Sequence, residues 1–454
     1  MVSFSKPPLV PWNHPLHRCL ANNRPQVLNK HFQTVLEISR LESTGLQVMY
    51  FGGGYLLFSP IAAEVLRRRG YKFTILMGLC LYSLGAILFW PTAHFTTYEN
   101  RRAAFGGFCV CTLVIACGLA TLETSANSYA VVIGNPASAS ARLQFCQSWN
   151  GVASFIGPLI AASFFFSGEN ANSLTNVQFV YLAVSCAGMA VAFLFLVTKL
   201  PEVSEEMLQG TTTADSLSTD TFGEEVGSGP LYRQYNMIFA FLAQFCYVGA
   251  QVTIASFFIN YCTENASYTS AQGSTFLSYA LIAFTVGRFV ATGLATVLQA
   301  DFIMIVYATL CIGLTAFTCF GHGAPAVGVL ITVFFFEAPM YPTLFALGTA
   351  NLGRHTRRGA GILVMGVSGG AVFPPIQGAI ADAAGTRISY LVPLVGFVYV
   401  LGYVTMHWLR SGRHVRRVKE VANAAAAAPA PAAGYEAKSD SQSVEVVEVR
   451  MEKV

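Results

Sequence analysis

The sequence predicts an all-α protein that crosses a membrane many times, and three observations carry that reading. Only 11% of its 454 residues are charged, while 54% are hydrophobic; a soluble chain carries about 25% charged residues. The mean hydropathy is +0.52. Apolar runs recur along the whole chain, many without a charge over the roughly 20 residues a helix needs to cross a bilayer core. In hydrocarbon each backbone N–H and C=O must find a partner within its own element, so runs of this length fold as helices.

Taken in order, the first complete span is expected at 46–66, ended by the basic RRRGYK at 67–72, and the second at 73–92. Three more follow at 103–130, 144–167 and 178–198. From Pro201 to Pro230 the chain reads EVSEEMLQGTTTADSLSTDTFGEEVGSG between the prolines. That stretch is acidic, rich in Ser and Thr and without apolar periodicity, as expected of a disordered linker. Six further spans are expected at 236–261, 273–297, 302–320, 323–349, 359–381 and 389–409. GHGAP at 321–325 suits a tight hairpin between two of them. The resulting division is a polar N-terminus (1–24), an N-terminal bundle (25–198) of one partial helix and five complete spans, and a linker (199–233). A six-helix bundle (234–410) and a basic, then Ala/Pro-rich low-complexity tail (411–454) complete it.

Eleven spans leave the termini on opposite sides. Upstream of Leu46, QVLNKHFQTVLEI is amphipathic, whereas PWNHPLHRCLANNRP holds three prolines, three asparagines and two histidines. The latter is not expected to span lipid unaided, nor does it resemble a signal peptide. The chain is therefore expected to keep the exterior half of a first helix and to lack the cytosolic half.

Lys and Arg set the orientation. RRRGYK, Arg142, Lys199, Arg233, RHTRR (354–358) and RSGRHVRRVK (410–419) fall on one side, against Lys30, Arg40, Arg101, Arg102 and Arg387 on the other. The richer side is expected to be cytosolic, with the linker and C-terminus, in a plasma-membrane protein. The sequon Asn265-Ala266-Ser267 falls on the exterior side in this scheme. The net charge of +4 does not point to nucleic acid, and the basic juxtamembrane run at 410–419 suits anionic lipid at the membrane surface. Most of the eleven cysteines lie within spans and read as small apolar residues, with no metal-ligand spacing and no disulfide framework.

Against this background the polar residues inside apolar runs stand out. Glu123 interrupts IACGLATLETSANSYAVVIG (115–134). A membrane-embedded carboxyl is neutral when protonated and anionic when it meets water, so it can take a proton on one side and release it on the other. The competing reading is a carboxyl hydrogen-bonded to a neighbouring helix. Asn127 lies four residues on, along the same face, and is expected either to hydrogen-bond a sugar or to hold the carboxyl rotamer. In the next span Gln144, Gln147 and Asn150 follow at three-residue spacing; amides offer both a donor and an acceptor to sugar hydroxyls, or they bridge helices. Gln244, Tyr247 and Gln251 form a polar stripe expected to face a substrate cavity, where Tyr247 stacks on a sugar ring, or else to pack against another helix. Glu337, in FFFEAPMYPTLF, is a possible secondary acid, with Tyr341 one turn away to donate to it and Pro339 and Pro342 baring backbone carbonyls. Arg288 is expected to snorkel or form a gate ion pair near the end of its helix.

Several segments together resemble the L-fucose:proton symporter family of the major facilitator superfamily: AILFWP (86–91), GLATLETSAN (118–127), LAQFCYVGAQ (242–251), YPTLFALGTANLG (341–353) and SGGAVFPPIQGAIADAAG (368–385). The resemblance runs from about Val27 to the last span. It implies twelve helices in two six-helix bundles with a substrate cavity between them and alternating access by rocking. It also implies that Glu123 matches the family's proton-coupling acid, and that Gln26 stands where a second acid sits in the first helix. The expected activity is proton-coupled symport of L-fucose or a related hexose. The alternatives are a hexose uniporter or exchanger, and a sugar receptor that does not transport. The proton is the coupling ion, no cofactor or metal is expected, and the protein is expected to act as a monomer. No Walker loop, nucleophile motif or metal constellation points to an enzyme.

Overall fold

The structure, a computed structural model, describes residues 46–95, 101–133, 138–165, 175–201 and 230–415. Gln26, the partial first helix, most of the linker and the tail beyond 415 lie outside the described residues.

Every described element is helical. In chain order they are α1 (Val48–His94), α2 (Arg101–Val132), α3 (Ala139–Phe165), α4 (Thr175–Val197), α5 (Tyr235–Ala266), α6 (Ser270–Leu294) and α7 (Ala300–Phe320). After these come α8 (Gly323–Thr349), α9 (Gly353–Ala384) and α10 (Thr386–Arg410). Each of the eleven expected spans falls on one of them, because α1 supplies two.

The first two spans differ from expectation in how they join. Rather than ending in a polar loop at RRRGYK, α1 runs on through it and reverses at Gly70, whose φ of 81° lies where only glycine enters without a Cβ penalty. Upstream, Val48–Phe58 is wound as a π-helix. Its wider i→i+5 turn brings Tyr50 and Tyr55, five residues apart, to one face, with hydroxyls 3.5 Å from each other.

Small residues let the helices approach. A Cβ on Gly118 of α2 would lie 2.4 Å from the Tyr82 backbone nitrogen of α1. Buried clusters fill the interior: a large one centred on α5–α10 that also takes in Tyr55, Ala120 and Leu143, and a small one around Phe89 and Phe108. Large apolar side chains face outward instead, among them Leu57, Phe193, Phe320 and Val395, as lipid contact requires.

The helices before the linker meet those after it along two seams. In the first, α3 lies on α6, where Thr285 Oγ1 donates to the Gly151 carbonyl at 3.1 Å. In the second, α1 lies on α9, where a Cβ on Gly361 would come within 2.4 Å of that of Ala63. Just below, Glu64 accepts from Arg67 at 2.7 Å, Arg68 at 2.7 Å and Arg358 of α9 at 3.0 Å, while the Arg357 guanidinium lies 5.2 Å from the Tyr71 ring centroid. At the same end Arg142 donates to the Ala130 and Val131 carbonyls at 3.1 and 2.9 Å, satisfying bare acceptors at the C-terminus of α2.

These ion pairs are partly exposed, so each contributes at most about 1 kcal/mol. Glu64→Gln is expected to leave the fold intact and to raise the population open at this end up to about fivefold. Electron–electron distances between spin labels at positions 69 and 354 read that population directly; an unchanged distribution would show that Glu64 does not latch α1 to α9.

Asn265 of the sequon donates from Nδ2 to the Gly321 carbonyl at 3.2 Å, tying the end of α5 to the α7–α8 turn.

Candidate functional site

Glu123 sits in the middle of α2, half-buried, and receives two tyrosines from opposite sides. Tyr55 of α1 donates to Oε1 at 3.1 Å, and Tyr341 of α8 donates to Oε2 at 2.8 Å. The first tyrosine is presented by the π-wound arm. The second is presented by the break in α8, where the helix stops at Glu337 and restarts at Met340 around Pro339. One carboxyl therefore bridges the helices before the linker to those after it.

The network continues from there. Asn127, one turn along α2, donates to the Tyr341 hydroxyl at 3.5 Å and accepts from Gln147 Nε2 of α3 at 3.0 Å. Gln144, one turn earlier on α3, donates to the Pro339 carbonyl and to Thr343 Oγ1, both at 2.7 Å. Arg288 of α6 reaches the Gln147 carbonyl in a short hydrogen bond, and Gln147 Oε1 at 3.4 Å. Its Nε donates to the Ala338 carbonyl at 3.3 Å. That carbonyl is free because Pro342, four residues on, has no N–H to offer it. The proline break thus supplies an acceptor for Arg288, while the Pro339 carbonyl that Gln144 reaches also accepts from the Thr343 N–H at 3.3 Å.

Several expected residues meet here and others do not. Glu123, Asn127 and Gln147 form one chain of hydrogen bonds. Asn150 is exposed on α3 and Gln251 half-buried on α5. Gln244 is wholly buried where α5 meets α9, its Cβ facing Gly366. Tyr247 is wholly buried too, and its hydroxyl donates to the Glu337 carbonyl at 2.9 Å. In this conformation it is packed within α5–α8 and not open to a ring stacked on it, which corrects the stacking expectation in favour of its competitor.

Two further expectations are corrected. Tyr341 donates to Glu123 and not to Glu337: the break at Ala338–Pro339 interrupts the regular turn that would have stacked residues 337 and 341. Arg288 does not snorkel, nor does it pair with a carboxylate within salt-bridge distance; it is 6% exposed, held by carbonyls and lying 4.6 Å from the Phe284 ring centroid. Sequence reasoning missed Tyr50 and Tyr55, whose signal was two tyrosines flanking the three glycines of YFGGGY, a run too apolar to mark them as polar groups.

A polar network clasped between two sets of long apolar helices is the architecture of a multi-pass membrane protein. Residues 23–372 match the family model of the Major Facilitator Superfamily. The chain is 30% identical to the L-fucose-proton symporter of Haemophilus influenzae over 407 residues, covering 83% of this chain and 90% of that one. It is 28% identical to the glucose/galactose transporter of Brucella abortus over 383 residues, covering 83% and 88%. Among solved structures, FucP in the outward conformation superposes with a TM-score of 0.71 at 27% identity, covering 86% of this chain and 95% of FucP. The chain belongs to the major facilitator superfamily and, within it, to the family of the symporters just named, as the motifs implied.

Proposed function

We propose that the protein carries a hexose, L-fucose or a close relative, across the membrane together with a proton, by alternating access to the central network. One observation carries this reading: Glu123 is held by a tyrosine from each side of the seam. As drawn, both tyrosines donate, which an anionic carboxylate accepts without conflict. Once a proton occupies one oxygen, that oxygen becomes a hydroxyl and a weaker acceptor, and its tyrosine bond weakens or reverses direction. Hydrogen bonds to an ionised partner are roughly twice as strong as neutral ones, so proton binding weakens the clasp between the two sets of helices. Proton occupancy is thereby linked to the conformation of the whole molecule.

Asn127, Gln147, Asn150 and Gln251 are the amides proposed to meet sugar hydroxyls, with Gln244 and Tyr247 standing behind them. The relatives named as an L-fucose-proton symporter and a glucose/galactose transporter support a monosaccharide cargo. The basic end of the helices, with Glu64 and Arg358, faces the cytosol on the distribution of Lys and Arg, in the plasma membrane.

Proteoliposomes holding the full chain test the reading. With an inward acid gradient, one of L-fucose, D-glucose or D-galactose is expected to accumulate above its external concentration, and only to equilibrate without the gradient. No uptake of any of the three above protein-free vesicles would refute hexose transport.

A further inference from the structure

Glu337 is the other acid at the centre, and the clasp just described does not use it. It is wholly buried, and neither carboxyl oxygen has a hydrogen-bond partner among the described residues. Its backbone carbonyl is occupied by Tyr247, so the vacancy belongs to the side chain alone. Arg288 donates to the carbonyl of the very next residue, Ala338, yet gives its remaining hydrogen bonds to Gln147 on the far side of the seam. A buried guanidinium and a buried carboxyl are neighbours without being bonded.

A bare carboxylate in such a place, beside a cation turned away from it, is among the costliest arrangements a protein interior can hold. A proton on the carboxyl removes that cost. We propose that Glu337 is a second proton-binding site and that Arg288 is the cation that displaces its proton. The step balances simply. While the seam is closed, Glu337 carries a proton and Arg288 is bonded to Gln147. When the seam opens, Gln147 withdraws, the guanidinium turns to Glu337, and the O–H proton passes to entering water as the ion pair forms. The charge inside the protein falls by the one proton released, which Glu337 takes back from the same water as the seam closes, so that no net proton crosses the membrane by this site and the cation never lacks an acceptor.

The titratable groups set against Glu337 from the packed elements are Tyr247 of α5, Cys311 of α7 and Tyr390 of α10, all uncharged near neutral pH, and Arg288 of α6. Arg288 is the only cation among them. The inference rests on the alternating-access reading for the opening of the seam, whereas the presence of the proton rests on burial and geometry alone.

Infrared difference spectra of the full chain in lipid nanodiscs, taken without sugar between about pH 5 and about pH 10, test it. Wild type is expected to show a protonated-carboxyl C=O band that titrates. The band is expected to vanish in Glu337→Gln and to persist in Glu123→Gln, which separates a failure here from a failure of coupling at Glu123. Should Glu337→Gln not assemble, Glu337→Asp, which keeps an acid, must move the frequency of that band. Arg288→Gln is expected to let the carboxyl hold its proton to a pH about one unit higher or more. A band unchanged in both Glu337 variants would overturn the site, and one that does not titrate would overturn the switch. A midpoint unmoved in Arg288→Gln would overturn the role of the arginine.

Discussion

Glu123→Gln is expected to abolish accumulation while leaving exchange. With one proton moved per sugar, each unit of pH gradient supports about a tenfold concentration ratio in the native protein; in the variant the ratio is expected to fall to about one. Glutamine keeps the shape and one acceptor oxygen, so a tyrosine can still bond it at the 2.8–3.1 Å distances seen for Tyr341 and Tyr55. What it cannot do is alternate between anion and acid, the alternation by which the clasp is proposed to weaken. Labelled sugar is therefore expected to exchange across the membrane in counterflow at a rate comparable to the native one. Accumulation under a pH gradient that matched wild type would remove Glu123 from the coupling step.

The second large effect is on assembly. Gly369 lies where α9 crosses α5, and a Cβ there would fall 2.0 Å from the Phe245 carbonyl oxygen and 3.0 Å from the Gly249 nitrogen. Both obstacles are backbone, and no rotamer change relieves them. Gly369→Ala must push the helices apart, at or above the upper end of the about 1–3 kcal/mol typical of overpacking. The helix on which Gln244 and Tyr247 sit would move with it. The expected result is loss of the monodisperse peak in size-exclusion chromatography, or a large fall in melting temperature. Gly293→Ala is the control: no atom lies within 4 Å of its added Cβ, and alanine favours the helix by about 1 kcal/mol over glycine. A Gly369→Ala protein as stable as the Gly293→Ala control would show that the close approach is not required.

Much of this was legible in the sequence, for reasons that differ by element. The spans were readable because hydrocarbon forces long apolar runs into helices, so composition alone locates them. Glu123 was readable because a carboxylate in such a run is conspicuous, Asn127 because helical spacing put it on the same face, and Gln147 because amides recur in the next span and the family resemblance favoured it. The partners of Glu123 were not. Tyr55 depends on π-winding through the glycines, which shifts which residues share a face, and Tyr341 depends on the break at Pro339, which rotates the second arm of α8. Both are departures from 3.6-residue periodicity, the one regularity from which a sequence reading projects side chains. Arg288 was misjudged for a related reason: its place near a helix end suggested snorkelling, while its acceptors are carbonyls that Pro342 and the α3 seam expose only in three dimensions. The turn at Gly70 was hidden by charge, since RRRGYK looks like a loop and folds as the bend within α1.

The central claim is that sugar movement and proton binding at Glu123 are one event. The direct measurement is the external pH of lightly buffered proteoliposomes, with no gradient imposed, on addition of the transported hexose. Native protein is expected to alkalinise the medium as sugar enters, and Glu123→Gln to leave the pH unchanged while counterflow continues. Sugar entering the native vesicles with no change in pH, or an equal change in the Glu123→Gln vesicles, would contradict it.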